Sequence, residues 1–149
     1  MKMQRREGKL ITYALGSCIG ICLYDPQIKL ASMIHIMLPE SSSPKPDNVF
    51  KYADTAIDET LRKMDVFGAV RRRMYAKIAG GAKMFNVVGD SNFGNIGERN
   101  VQTVVAILQK NGITIKSRDV GGSIARTLLL DAETGEAVVR SFNQPEKKL

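Results

Sequence analysis

The first forty residues contain three apolar runs separated by turn-forming residues. The run at residues 10–15 predicts a short strand, which ends at a Gly-Ser pair. The runs at residues 19–24 and 28–38 are rich in β-branched and other apolar residues, as is typical of buried strands. An Asp-Pro pair between them is a turn signal, so the pattern predicts a β-hairpin that turns near Gln27.

The hydrophobic period changes after the loop at residues 40–48, where apolar residues begin to recur every three or four positions. This spacing places them on one face of an amphipathic helix, for which Asp47 or Asn48 is the predicted N-cap. A second helix is predicted to end at Asn111 and Gly112, which are typical helix-ending residues. The two apolar faces consist of Val49, Ala53, Ile57, Leu61 and Met64 in the first helix and Val101, Val104, Val105 and Leu108 in the second.

Four more apolar stretches predict strands, at residues 74–79, 113–120, 125–130 and 137–142. The last two are expected to form a second hairpin, and residues 90–97 a turn-rich loop. The order β-β-β-α-β-α-β-β-β does not alternate regularly, which argues against a doubly wound parallel sheet. The sequence therefore predicts an α+β fold, a layered α/β sandwich in which largely antiparallel sheets built from hairpins carry two main helices.

Length and composition indicate an ordinary globular protein. Hydrophobic residues make up 44% of the chain and charged residues 25%, which argues against a disordered segment. We expect one domain over residues 1–149, with a short basic leader at 1–9 and a polar, frayed tail at 143–149. No apolar run approaches the roughly 20 residues that cross a bilayer, so cytoplasmic localisation without membrane insertion is expected.

Cysteine and histidine usage limits the chemistry. Cys18 and Cys22 are four residues apart, which on a strand is roughly 13 Å and too far for a disulfide. With His35 as the single histidine, the chain falls short of the four ligands of a structural zinc site. The glycine-rich phosphate-binding patterns do not occur. We therefore expect neither a metal nor an organic cofactor.

Cys18 is the candidate nucleophile, because it follows a Gly-Ser pair at the break between two apolar runs. Backbone N–H groups of Ser17 and Cys18 in such a turn can stabilise an oxyanion. The alternative is a buried, inert thiol, which is also the interpretation of Cys22 within its apolar run.

His35 is the candidate base. A hairpin centred near Gln27 places His35 opposite Cys18, where an imidazole can take the thiol proton. Thr12 is the candidate group that orients the imidazole, through its hydroxyl or its backbone carbonyl. The competing interpretations are a core histidine at position 35 and a plain strand former at Thr12.

The segments that carry these residues are similar to motifs of a known family. Residues 12–26 resemble the opening motif, and residues 35–39 the histidine motif, of the CheD family, the chemoreceptor glutamine deamidases of bacterial chemotaxis. The resemblance covers about residues 10–142. Further similar segments lie at residues 51–54, 77–85, 96–100 and 119–122.

The resemblance implies a catalytic triad of Cys18, His35 and Thr12 in a fold related to the catalytic domain of cytotoxic necrotizing factor toxins. It implies a protein-glutamine glutaminase that hydrolyses selected glutamine side chains of methyl-accepting chemotaxis receptors to glutamate and releases ammonia. It also implies a partner, a CheC-type phosphatase of the response regulator CheY, which is stimulated by binding. Methylesterase activity is attributed to some members of the family.

Three different functions compete with this interpretation. The formal net charge of +7 suits docking on acidic receptor helices, but it can also attract nucleic acid. The basic clusters at residues 2–9 and 71–73 lack the interleaved aromatics of a single-strand binding platform, so no nucleic acid is expected. The second competitor is a non-enzymatic adaptor that acts only through a CheC-type partner, and the third is a different cysteine hydrolase such as a peptidase.

Overall fold

The computed structural model describes residues 1–84 and 95–149, which form two β-sheets and two α-helices. The strands are β1 Lys2–Arg5, β2 Lys9–Leu15, β3 Ile19–Asp25, β4 Leu30–Ile36, β5 Tyr75–Gly80, β6 Thr114–Val120, β7 Arg126–Asp131, β8 Ala137–Ser141 and β9 Lys147–Lys148, and the helices are α1 Ala53–Val66 and α2 Ile96–Lys110. These elements confirm the predicted α+β class with two main helices.

The strands form one five-stranded and one four-stranded sheet. The first sheet has the order β1-β4-β3-β5-β6, and the second has the order β2-β7-β8-β9. Every pair of neighbours is antiparallel except β5 and β6, which run parallel. The two predicted hairpins, β3–β4 and β7–β8, are present, so the prediction of largely antiparallel sheets is confirmed.

The first sheet is the central layer, with the helices on one face and the second sheet on the other. Every residue of β3 is buried, which explains why its sequence from Ile19 to Tyr24 is apolar rather than alternating. The helix side of the core includes Ile19, Ile21, Ile34, Ile57, Ile78 and Leu108. The core between the sheets includes Leu15, Cys22, Met33, Ala79, Leu128 and Leu130.

The β3–β4 hairpin has a different register from the one predicted. Gly20, not Cys18, lies opposite His35. The turn occupies residues 26–29, and its last residue, Lys29, adopts a left-handed backbone with φ of 49°. The turn centre therefore lies one residue later than predicted, which shifts the pairing by two residues. A shift of two keeps every side chain on its original face of the sheet.

Both ends of the chain form edge strands. Within the basic leader at residues 1–9, Lys2–Arg5 forms β1 at the edge of the first sheet. The tail is not frayed, because Lys147–Lys148 pairs with β8 and the Leu149 N–H donates to the Ala137 carbonyl. Charged edge strands have no apolar pattern, so they are recognised only by their backbone pairing with a neighbouring strand.

The helix boundaries also differ in detail. The Asn48 side chain caps a 3-10 turn at Val49–Lys51, and α1 begins only at Ala53. Of the predicted loop at residues 90–97, residues 90–94 lie outside the described residues, and α2 begins at Ile96.

Asp25 anchors the end of β3 that lies farthest from Cys18 through hydrogen bonds of its carboxylate. Its carboxylate is fully buried and accepts hydrogen bonds from the Arg73 guanidinium, with an Nη2–Oδ2 distance of 2.7 Å, and from the Val70 and Gln27 N–H groups. Burial by itself raises the pKa of Asp25. The Arg73 and backbone donors more than offset it, so the pKa lies below its ordinary value of 3.8.

Asp25→Asn is expected to lower the free energy of unfolding by about 3 kcal/mol, since it leaves Arg73 without its charge partner. This is the lower end of the range for buried pairs, because the Arg73 side chain is 26% exposed. The lowered pKa means that the stabilisation is complete above the unfolded-state pKa and is lost as the pH falls through the folded-state pKa. Urea unfolding of both forms at several pH values measures the loss.

The exposed pair between Asp65 and Arg71 is the matched control, with a distance of 3.0 Å. Asp65→Asn removes the same charge but should cost less than about 1 kcal/mol, because solvent screens the pair. Equal losses for the two variants would contradict a special contribution from Asp25.

Candidate active site

The three predicted site residues come from both sheets and lie near one end of them. Cys18 is in the turn before β3, and His35 is near the end of β4. Thr12 is on β2 of the second sheet. Its Oγ1 lies 2.9 Å from His35 Nδ1, within hydrogen-bond distance. Of the two Thr12 groups considered from the sequence, the hydroxyl is the one that contacts the imidazole.

The absence of a side chain at Gly20 allows the two sheets to approach at this point. Gly20 is buried directly opposite His35. A Cβ atom there would lie 2.8 Å from Leu15 Cδ1 and 2.9 Å from Leu128 Cδ2, closer than side-chain atoms pack. The second sheet can therefore lie close enough for Thr12 to reach the imidazole.

Cys18 borders the core between the sheets, on the same side of the first sheet as His35. It lies two residues before Gly20, the partner of His35, and just outside the paired part of β3. Cys18 is half-buried at the margin of the core between the sheets, whereas Cys22 lies inside that core and is 2% exposed. Cys18 is thus the more accessible of the two thiols.

Burial favours the neutral forms of the site groups. It raises the pKa of the Cys18 thiol, an effect that the residue's own backbone N–H partly offsets. It lowers the pKa of His35 below its ordinary value of 6.5. At neutral pH the groups are therefore a thiol and an uncharged imidazole that can accept a proton. Burial raises the pKa of Cys22 to about 12, which makes this thiol a poor nucleophile.

Backbone contacts hold the turn that carries Cys18. The Ala82 N–H donates to the Gly16 carbonyl at 2.8 Å, and the Gly81 N–H donates to the Cys18 carbonyl at 2.9 Å. At Gly80, where φ is 118°, a Cβ atom would lie 2.1 Å from the Cys18 carbonyl oxygen. Only glycine allows this approach, so the Gly-Gly pair at the end of β5 fixes the position of the Cys18 turn.

Sequence reasoning assigned no role to Asn100, although it lies in one of the segments that carry the family resemblance. Its side chain is fully buried near the start of α2, and Nδ2 donates to the carbonyls of Ser17 and Met37, both at 2.9 Å. These partners are 83 and 63 residues away in the sequence. No local pattern could have identified this contact.

Three large apolar side chains are exposed around these residues. Tyr13, next to Thr12, is 61% exposed, Met37, just past β4, is 51% exposed, and Met84 is 41% exposed. Met84 borders the Cys18 turn, because its Cγ would lie 2.9 Å from a Cβ atom at Gly16. Exposed apolar side chains near a candidate site are available for contact with another protein. We call Tyr13, Met37 and Met84 the apolar rim.

Two structural findings concern only residues 1–84 and 95–149. No group of three or more His, Cys, Asp or Glu side chains in this part of the chain is arranged to hold a metal ion. No helix there is long and apolar enough to span a membrane.

Comparison with known proteins gives a consistent result. A family model described as CheD chemotactic sensory transduction matches residues 37–141. A protein of Syntrophomonas wolfei, named probable chemoreceptor glutamine deamidase CheD, is 48% identical over 147 residues, which are 98% of this chain and 91% of the relative. A Desulfitobacterium hafniense protein of the same name is 44% identical over 99% of this chain and 92% of the relative.

A third relative, the chemoreceptor glutamine deamidase CheD of Halalkalibacterium halodurans, is 44% identical over 140 residues, which are 93% of this chain and 86% of the relative. These alignments cover nearly the whole chain and so extend beyond the segment that the family model matches. Together with that model, identity of this degree over this length shows that the chain belongs to the CheD family.

Proposed function

We propose that this protein is a deamidase that hydrolyses glutamine side chains of methyl-accepting chemotaxis receptors to glutamate and releases ammonia. The observation that carries the proposal is the 2.9 Å contact between Thr12 Oγ1 and His35 Nδ1, together with a half-buried Cys18 thiol in the turn that leads into the strand paired with that of His35. This arrangement suits a nucleophile, a base and an orienting group. The names of the relatives supply the substrate, and the apolar rim suits a substrate that is itself a protein.

In the proposed mechanism, His35 Nδ1–H donates to Thr12 Oγ1. This tautomer leaves the Nε2 lone pair free to take the proton from Cys18 Sγ. The thiolate attacks the carboxamide carbon of a receptor glutamine and forms a C–S bond. The carbonyl oxygen gains negative charge, which the backbone N–H groups of Ser17 and Cys18 stabilise.

The second half of the reaction releases both products. Protonated His35 gives its proton to the leaving nitrogen as the C–N bond breaks, so ammonia departs and a thioester remains. His35 then deprotonates a water molecule, whose oxygen attacks the thioester carbon. The C–S bond breaks, and the Cys18 thiol is regenerated beside the new glutamate. One amide and one water give one carboxylic acid and one ammonia, so the atoms balance without another co-reactant.

The direct test uses a recombinant cytoplasmic fragment of a methyl-accepting chemotaxis receptor as the substrate. Incubation with the protein should release ammonia and convert particular glutamines to glutamates, both of which peptide mapping by mass spectrometry and an ammonia assay can detect. A fragment with those glutamines already replaced by glutamate is the control and should release none. If the folded protein changes neither quantity, the deamidase proposal is wrong, and the non-enzymatic adaptor is favoured.

Thr12→Val should reduce kcat by about tenfold, because it keeps the shape of the side chain but removes the hydroxyl that orients His35. Thr12→Ser keeps the hydroxyl and is the matched control, with activity close to that of the unmodified protein. Steady-state ammonia release from the receptor fragment measures both. An unchanged kcat in Thr12→Val would limit Thr12 to a structural role.

We also propose a CheC-type phosphatase as a partner, on the basis of family membership. The measurement is phosphate release from phosphorylated CheY by CheC with and without this protein. Faster release in its presence supports the interaction. Unchanged release together with no complex on size-exclusion chromatography would exclude it.

A further inference from the structure

We propose that Asn100 is a positioning residue that holds the backbone of the Cys18 turn and the end of β4 in the geometry that the reaction requires. The proposal rests on the function proposed above, because it assigns a role within that site. Asn100 would touch neither the substrate nor the reacting atoms and would act through the Cys18 amide and the strand that carries His35.

Asn100 joins the two site segments where the strand pairing ends. The last pair in the register of β3 and β4 is Ile19 with Ile36. Beyond that pair, the two N–H groups of Asn100 Nδ2 donate to the Ser17 carbonyl on one segment and to the Met37 carbonyl on the other, both at 2.9 Å. One side chain thus continues the connection between the Cys18 turn and the strand of His35.

The contact with Ser17 sets the direction of the proposed oxyanion donor. In a trans peptide the carbonyl and the following N–H point in opposite directions. Since the Ser17 carbonyl points at Asn100, the Cys18 N–H points away from α2. Among the described residues, none accepts a hydrogen bond from it, so it is available to an oxyanion.

Close backbone packing brings Asn100 to this position. A Cβ atom at Gly97, in the first turn of α2, would lie 2.6 Å from the Gly81 carbonyl oxygen and 2.9 Å from the Ala82 carbonyl oxygen. Only a residue without a side chain allows α2 to approach so closely. Gly81 is also the residue whose N–H donates to the Cys18 carbonyl. The helix is therefore seated directly on the segment that holds the Cys18 turn.

The buried oxygen of the Asn100 amide argues against a role in packing alone. Its orientation is fixed by its partners, because two carbonyls can accept only from the NH2 group. Oδ1 is buried and has no hydrogen-bond partner in the part of the chain that the structure describes. Leaving a buried oxygen unpaired is unfavourable. A residue that only filled space would not need this polar group, so the two donated hydrogen bonds explain its presence.

The test is Asn100→Asp, which has nearly the same shape but donates one hydrogen bond when protonated and none when ionised. On the receptor fragment, kcat should fall by about tenfold or more, up to the 10²–10³ that follows loss of an oxyanion donor, while KM changes little. Gln102→Glu makes the same amide-to-carboxylate change on an exposed site of α2 and should leave both constants unchanged.

A second readout does not depend on the receptor. Asn100→Asp should shift the pH midpoint of Cys18 alkylation by iodoacetamide upward, because the misdirected N–H no longer stabilises the thiolate. General loosening of the structure would instead expose the thiol and speed its alkylation. A folded Asn100→Asp variant with unchanged kcat and an unchanged alkylation profile would overturn the proposal.

If Asn100→Asp does not fold, Gly97→Ala provides the test, since it keeps Asn100 and only pushes α2 off the Gly81 segment. It should reduce kcat and shift the alkylation profile in the same direction, and unchanged values would again overturn the proposal. Failure of the proposed function is distinguishable, because the unmodified protein would then release no ammonia from the receptor fragment.

Discussion

Cys18→Ala is expected to abolish glutamine deamidation, with a loss of about 10⁵–10⁶ in kcat, while the protein stays folded. The size of the loss follows from covalent catalysis, since without the sulfur no thioester can form and the remaining groups contribute only binding and oxyanion stabilisation. Ammonia release and mass spectrometry of the receptor fragment measure the loss, and circular dichroism and thermal unfolding confirm the fold.

Cys22→Ala is the matched control, because it removes the only other thiol in the sequence. The Cys22 side chain lies in the core between the sheets, so its truncation should lower the free energy of unfolding by about 1 kcal/mol and leave kcat nearly unchanged. Iodoacetamide should also modify Cys18 first and inactivate the protein in parallel. Loss of turnover in a folded Cys22→Ala variant, together with an active Cys18→Ala variant, would contradict the assignment.

The hydrophobic pattern predicted the strands and helices well because burial imposes their periods. Helix α1 shows its apolar positions at the helical spacing, and β3 is apolar from Ile19 to Tyr24 because both of its faces are covered. The pattern did not predict the charged edge strands β1 and β9, which are defined by backbone pairing with β4 and β8. A signal based on side-chain polarity cannot detect an element that pairs mainly through its backbone.

The hairpin register shows a different limit. An Asp-Pro pair indicates a turn, but its centre depends on backbone angles such as the left-handed φ of 49° at Lys29. The predicted register was wrong by two residues, and the structure pairs His35 with Gly20 instead of Cys18. A shift of two residues keeps the side chains on their original face of the sheet, and the closeness of the Cys18 thiol to the imidazole stays a prediction.

The basic cluster at residues 71–73 illustrates why charge counts alone do not locate a docking surface. Arg73 binds the buried carboxylate of Asp25, and Arg71 contacts Asp65 at 3.0 Å. Two of the three arginines are therefore engaged in intramolecular ion pairs. The cluster also lies before the start of β5, whereas the Cys18 turn contacts the residues after its end. Neither fact can be derived without the long-range pairing of the strands.

Some site residues can be recognised from the sequence by residue type, whereas others are recognised only by their long-range contacts. Cys18 and His35 stand out by their chemistry, since the chain has two cysteines and one histidine. Asn100 has no such distinction, and its partners lie far away in the sequence. Residue type thus identified the groups proposed to react, and only the fold identified the side chain that joins their backbones.

His35→Gln should reduce kcat by several orders of magnitude, about 10³ or more, because no other imidazole can take the thiol proton or protonate the leaving nitrogen. The variant keeps a polar group of similar reach, so the fold should be retained. Diethyl pyrocarbonate should inactivate the unmodified protein through the same residue.

The pH dependence gives an independent check on the same group. Burial lowers the pKa of His35 below 6.5, so the neutral, proton-accepting form persists to more acidic pH than for an exposed histidine. The rate should therefore hold from neutral pH down past 6.5 and fall only as the pH drops through this lowered pKa. kcat/KM on the receptor fragment between pH 5 and 8, with the fold monitored at each point, measures the profile. Protonation of the imidazole removes the lone pair that must accept the thiol proton. An acidic limb that begins above pH 6.5 would therefore contradict His35 as the base. Near-normal turnover in His35→Gln would contradict it as well.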